Sequence, residues 1–233
     1  MKRLEKKKRR VWPWIMAVCL IIAGIITAVC LTGDESNPDD TQASVTDQVR
    51  DLGQGLYLLS VDPYSGSYVE DGSDEPVENV MAITVENEGT EPIQLSTVTL
   101  TATDGLEYSF TLTALPAGAR VTVLEANRAS FRSGLEISGA TLSNVAGFNE
   151  PLSLHEELLT ITASNQTLTI KNVSGQAFSG GRVFYKNISN DVYLGGITYT
   201  VTVPAMTADE EISLYAGHYT TGGSELLFVT YAA

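Results

Sequence analysis

The sequence predicts an all-β body carried behind one N-terminal transmembrane helix, with the body divided into two tandem antiparallel β-sandwich modules. Three observations predict it. Val11–Gly33 holds no charged residue, apolar and polar side chains alternate with period two across most of the rest, and one series of features occurs twice in the same order. The expected segments are a basic tip at 1–10, a membrane helix at 11–32, an acidic tether at 33–54, and modules at 55–149 and 150–233.

Charge is distributed unevenly. Seven of the 14 Lys/Arg fall in the first ten residues beside a single acid, Glu5, so the other 223 residues carry seven basic and 27 acidic side chains. A body with that balance lacks the cationic surface that phosphate neutralisation requires, which excludes general nucleic-acid binding. The 22 residues Val11–Thr32 would span about 33 Å as a helix, enough for a hydrocarbon layer of about 30 Å. Trp12 and Trp14 suit the headgroup boundary, and Pro13 falls in the first turn, where its missing N–H costs little. Lys and Arg are retained on the cytoplasmic side, so the N-terminus is expected inside and the body outside, with the bilayer as a partner through 11–32. The competing reading is a cleaved signal peptide, cut after Cys30; the apolar run is longer than such peptides use. Neither Cys19 nor Cys30 follows the small residue of a lipidation site, since Val18 and Val29 precede them.

Those two cysteines are the only ones. An exterior without disulfides suits a bacterial surface. Asn165, Asn172 and Asn187 open glycosylation-type triplets, which arise by chance in a chain so rich in Ser and Thr.

After the polar, acidic tether, alternation begins. Met81, Ile83 and Val85 alternate with Ala82 and Thr84; Leu106, Tyr108, Phe110 and Leu112 alternate with Glu107, Ser109, Thr111 and Thr113; Ile197, Tyr199, Val201 and Val203 alternate with threonines. One apolar and one hydroxyl face is the pattern of an antiparallel strand with one side in water. Asp104-Gly105 supplies a hairpin turn, and Pro151–Leu159 is the one stretch that suggests a helical turn. Ile83–Gly89 aligns with Leu168–Ser174, placing Asn87 over Asn172; Tyr108–Ala117 then aligns with Thr198–Ala205, and Val121–Leu124 with Ile212–Tyr215. A single larger sandwich is the alternative to two modules.

Thr169–Tyr185 runs from a strand through Asn172, a Ser174-Gly175 turn and a second strand bearing Phe184 and Tyr185. In this it resembles the FxLYD and CARDB-like immunoglobulin-like domains of bacterial surfaces, mainly over 168–230. The resemblance implies an immunoglobulin-like fold for the modules, export and membrane tethering, and it brings no catalytic residues. The chain departs from the pattern late in the module, where Pro204-Ala205 stands in place of Pro-Gly.

Catalytic templates do not fit. No two glycines stand four apart to frame a nucleophile elbow, and no Gly precedes a Lys as in a phosphate loop. Gly53-Gln54-Gly55 lacks the third glycine of a dinucleotide turn, and His155-Glu156-Glu157 lacks the second histidine of a zinc-protease helix. No catalytic residue and no cofactor is assigned. Asp71, Asp74 and Glu75, in a Gly/Ser-rich loop, are the one candidate set for calcium, without EF-hand spacing. Tyr64, Tyr68 and Tyr219, in similar surroundings, are candidate anchors for a partner or glycan. The expected role is non-enzymatic: a single-pass surface protein presenting modules for interaction or assembly with a protein or cell-envelope partner. An envelope hydrolase or its accessory subunit, using His155 or His218, and a subunit of a surface filament or secretion assembly are the alternatives.

Overall fold

The computed structural model describes residues 50–231. The expected tip, membrane helix and nearly all of the tether lie outside the described residues. Among the described residues no helix is long and apolar enough to cross a membrane, and every regular element is a strand.

The first half contains β1 (Arg50–Gly53), β2 (Leu56–Tyr68), β3 (Glu75–Asn87), β4 (Ile93–Ala102), β5 (Glu107–Leu115), β6 (Arg120–Leu124) and β7 (Ile137–Gly147). The second contains β8 (Leu159–Ser164), β9 (Thr167–Asn172), β10 (Gly181–Ser189), β11 (Val192–Val203), β12 (Glu211–Tyr215) and β13 (Ser224–Tyr231). The repeat seen in the sequence is a repeat of pairing. The first half pairs as β2-β3-β6 and β5-β4-β7, and the second as β8-β9-β12 and β11-β10-β13, so each strand number is raised by six. Among the described residues β1 has no counterpart; it covers the outer edge of β2.

The halves are not separate beads. β6 and β11 pair in parallel over Arg120–Thr122 and Val192–Leu194, which fuses two of the four layers into a seven-stranded sheet, β1-β2-β3-β6-β11-β10-β13. Two apolar cores lie against its opposite faces. One gathers Leu56, Ile83, Val98, Phe110 and Val123 between the long sheet and β5-β4-β7. It reaches across the joint to Tyr193, Leu227 and Phe228, where Phe228 stacks on Phe184 at 4.4 Å and takes the edge of Phe148 at 5.1 Å. The other gathers Leu168, Ile170, Val183, Tyr185 and Val201 between β10-β11-β13 and β8-β9-β12. Burial of each such side chain contributes about 1.5–3 kcal/mol, set against the entropy of ordering the strands.

Period two places the expected apolar sets inward with two departures. In β3 both faces are closed, because Val80 and Ala82 pack with Tyr68, Val69 and Leu124 in a third cluster on the far side of the sheet. Leu106 lies before β5 in the turn and is 51% exposed, since the hairpin closes at Ala102, whose N–H donates to the Leu106 carbonyl. Asp104-Gly105 forms that hairpin, with Gly105 at φ 83° and Asp104 Oδ1 accepting from Leu106 N–H. The Pro151–Leu159 stretch contains one turn, in which the His155 carbonyl accepts from both Leu158 and Leu159.

Asn87 and Asn172 close β3 and β9 in the same way. Each is completely buried. Asn87 Nδ2 donates to the carbonyls of Glu91, Leu115 and Pro116 at 3.0, 3.3 and 3.1 Å, and its Oδ1 accepts from Gly89 N–H. Asn172 Nδ2 donates to Gln176 and Thr207 at 2.7 and 2.8 Å, and its Oδ1 accepts from Ser174 N–H. Each side chain ties the turn after its strand to the loop before the third strand of its layer. Buried thus, Asn172 is a structural residue and not an open glycosylation acceptor. Replacing either asparagine with Ala strands at least two carbonyls, at about 1–3 kcal/mol for each. Asn87→Ala and Asn172→Ala are each expected to lower the denaturation midpoint strongly in chemical unfolding of the full chain, with β circular dichroism retained below the transition.

Candidate functional site

The joint between the halves is built on one irregularity in β11. Opposite it, Tyr185 pairs with Tyr199 but Asn187 pairs with Leu194, so Gly195–Thr198 bulge out against the single residue Lys186. Gly195 takes φ 86°, a region open to glycine, and a Cβ there would strike the Val69 side chain. At Gly196 a Cβ would collide with the Thr111 carbonyl oxygen, so only glycine lets β11 pass this close to β5. Thr113 Oγ1 donates to the Gly196 carbonyl at 2.6 Å, and Thr198 Oγ1 to the Thr113 carbonyl at 3.2 Å.

Lys186 fills the bulge. It is 1% exposed, and its Nζ donates to the carbonyls of Gly195, Gly196 and Ile197 at 3.0, 3.1 and 2.5 Å. On the other side of the same peptides, Glu70 accepts from Gly196 N–H at 2.9 Å and from Leu124 N–H at 2.8 Å. Both groups titrate abnormally because burial disfavours charge. Desolvation lowers the Lys186 pKa to about 7, opposed by the Glu70 charge. Desolvation raises the Glu70 pKa, against backbone hydrogen bonds and Lys186.

A cavity of about 470 Å³ opens beside this joint, bordered by Glu70, Asp71, Thr111, Thr113, Asn127 and Arg128. That volume suits a small ligand or one side chain of a partner. Tyr68 forms a wall: its hydroxyl donates to the carbonyls of Glu125 and Ala126 at 3.0 Å, and the Arg128 guanidinium lies 4.4 Å from its ring centre. The turn after Leu124 is held by Glu125, whose carboxylate accepts from Asn127 and Ala129 N–H at 2.7 and 2.9 Å.

The acidic loop lies at the cavity mouth, and its three calcium candidates do not converge. Arg128 takes Asp71 at 2.6 Å and Glu75 at 2.9 Å, whereas Asp74 turns to His218 Nδ1 at 2.8 Å. Hydrogen bonds from Ser73 and the Arg128 guanidinium hold the Asp71 pKa down at about 2. No group of three or more metal-ligating side chains is assembled among the described residues. His218 also stacks on Tyr199 at 4.4 Å, tying the loop to the second half. His155 bonds Glu157 Oε1 at 3.0 Å and meets the edge of Tyr231. Each histidine ring therefore has a carboxylate partner, and among the described residues neither receives a Ser hydroxyl.

The tyrosines depart from the sequence-based expectation. Tyr68 and Tyr219 are buried and Tyr64 is half-buried, its hydroxyl donating to the Ser67 carbonyl. Among the described residues Tyr215, at the end of β12, is 75% accessible and Tyr231 40%. The Glu70–Lys186 pairing escaped sequence reading because 116 residues separate the two. The adjacent glycines 195 and 196 inside an alternating strand were the available signal.

No protein-family model, no curated protein and no solved structure matches this chain.

The joint has a pH signature. A lysine whose folded pKa is depressed contributes stability that is complete above its unfolded value near 10.5 and is lost as pH falls through about 7. Unfolding free energy, measured against a Lys186→Met control, is expected to rise between pH 7 and 9; a flat difference would show that the lysine is not desolvated. Gly196→Ala is expected to destabilise by about 1–3 kcal/mol or more, because backbone rather than a flexible side chain must move.

Proposed function

We propose that this chain is a single-pass membrane-anchored protein of a bacterial cell surface. In this reading, two tandem immunoglobulin-like modules are held outside the membrane as a non-catalytic interaction or assembly unit. The observation that carries the reading is the pairing of an uncharged apolar run behind seven cationic side chains with an all-β body built twice on one strand order. The positive-inside bias directs the body outward. The acidity of the body keeps it off an anionic membrane surface. The cleft at the joint supports recognition over bond-breaking. Its border offers carboxylates, threonine hydroxyls and one guanidinium, with no Ser, Cys or His among its lining residues. Fixed polar groups around a cavity of this size favour selective contact with a polar partner group.

Protease added to intact cells is expected to cut near residues 33–49 and release a body of about 20 kDa, in proportion to the 25.0 kDa of the 233-residue chain, while a cytoplasmic marker survives. Full protection of the chain in cells, with cleavage of the purified protein, would reverse the orientation. Cross-linking in intact cells followed by pull-down is expected to recover an envelope partner, and a cleft variant, Thr111→Arg, is expected to reduce that recovery.

A further inference from the structure

We propose that β8 is a docking edge for a second copy of this chain, which adds its own β8 antiparallel across a two-fold axis at Thr162. The repeat itself points to the seat. β8 corresponds to β2, and in the first half the outer edge of β2 is covered by β1, added antiparallel over Arg50–Gly53. In the second half β8 ends its layer, and among the described residues its outer edge is met only at its first residue, where Leu159 N–H donates to the His155 carbonyl.

The backbone there is ready for a strand. Asn172 N–H donates toward β12, to Glu210, whereas Val173 N–H donates the other way, to Leu158. Even-numbered residues of β9 therefore face β12 and odd-numbered ones face β8. By the alternation of an antiparallel ladder, Thr160, Thr162 and Ser164 bond to β9, and Ile161 and Ala163 present their N–H and C=O groups outward. The devices that usually blunt an edge are missing. β8 contains no charge and no proline, and its register with β9 runs from Leu159–Asn172 to Ser164–Thr167 without a bulge. Of the other strands that end a three-stranded layer, β7 is broken by three register shifts against β4, and β12 begins with the charged Glu211. The outer side of β13 is already bridged, Val229 N–H donating to the Ser153 carbonyl.

The sequence of β8 selects a copy of itself. With Thr162 opposite Thr162 of the second copy, Ile161 faces Ala163 of the second copy, and four backbone hydrogen bonds form. Every row across the joined sheet then matches in kind. On the outer face Ser213, Thr169 and Thr162 form a hydroxyl row, with Thr169 and Ser213 already 3.2 Å apart, and the second copy continues it. On the inner face Ile212, Ile170 and Ile161 meet Ala163, Leu168 and Leu214 of the second copy, extending an apolar core in which Ile161 and Ala163 are only half-buried. Asn165 of the second copy falls opposite Leu159, beside a cavity of about 340 Å³ lined by Leu154, Glu156 and Ile161. Charge favours the same place. Two bodies this acidic repel wherever carboxylates meet, and β8 itself carries none, Glu156 and Glu157 lying before its first residue. Six residues make a weak contact in dilute solution, so its strength in the cell rests on the membrane anchoring proposed above, which confines copies to one surface.

Disulfide trapping in the purified full chain reads the register directly, in a background with Cys19→Ser and Cys30→Ser. Thr162→Cys is expected to give reducible dimer at least about fivefold above Thr160→Cys or Ser164→Cys alone, because only Thr162 meets itself at disulfide distance. A mixture of Thr160→Cys and Ser164→Cys chains is expected to cross-link as well as Thr162→Cys. The trapping is run in detergent at high protein concentration and again in phosphatidylglycerol-containing vesicles. The same ranking in either setting supports the contact. Equal trapping at all three positions, or none in both settings, overturns it. Failure of the chain to float with vesicles would instead count against the anchor, leaving the detergent result to judge the edge.

Discussion

One buried amine holds the two halves in register. Four residues of β11 bulge against one residue of β10, leaving three carbonyls turned inward, and Lys186 Nζ caps all three. Glu70, from the turn after β2, takes the Gly196 N–H of the same peptides. The two opposite charges thus act through a shared peptide rather than by touching. Each would be costly to bury alone, and each lowers the cost of the other. The bulge in turn lets β11 lean on β5 while its first three residues pair with β6, so the long sheet, the threonine contacts at the joint and the cleft all follow from it.

Around that lock the chain uses one plan twice. The twin asparagines show why the plan persists in local sequence. A fully buried amide at the end of a strand can satisfy the turn after it and the loop that arrives from far along the chain. Few residues other than Asn supply two donors and an acceptor in so short a side chain. The halves differ at their outer edges: β1 covers β2, and among the described residues no strand covers β8.

Charge is managed by neighbours rather than by composition. Arg128 occupies two carboxylates of the acidic loop and lies over Tyr68, Arg120 takes Glu86, and Arg132 takes Asp104. These pairs are exposed and contribute little to stability individually. Their effect is positional: they fix the loop against the cavity mouth and leave the remaining acids to solvate the body.

Much of this protein was determined by its sequence. Alternation in Tyr108–Leu112 and Tyr199–Val203 states strands with one apolar face, because side chains on a pleated backbone point to opposite sides in turn. The recurrence of Asn87 at Asn172, with the strands that follow, states the repeat, because a buried amide and its turn are local. Tertiary structure alone decided the rest. That β6 meets β11, that Glu70 and Lys186 close on one bulge, that Tyr68 is buried while Tyr215 is exposed, and that Arg128 and His218 divide the acidic loop between them are all pairings between distant residues. The periodicity of a strand states which face is apolar. Which partner covers that face depends on how the layers meet in space, and no local pattern carries that information.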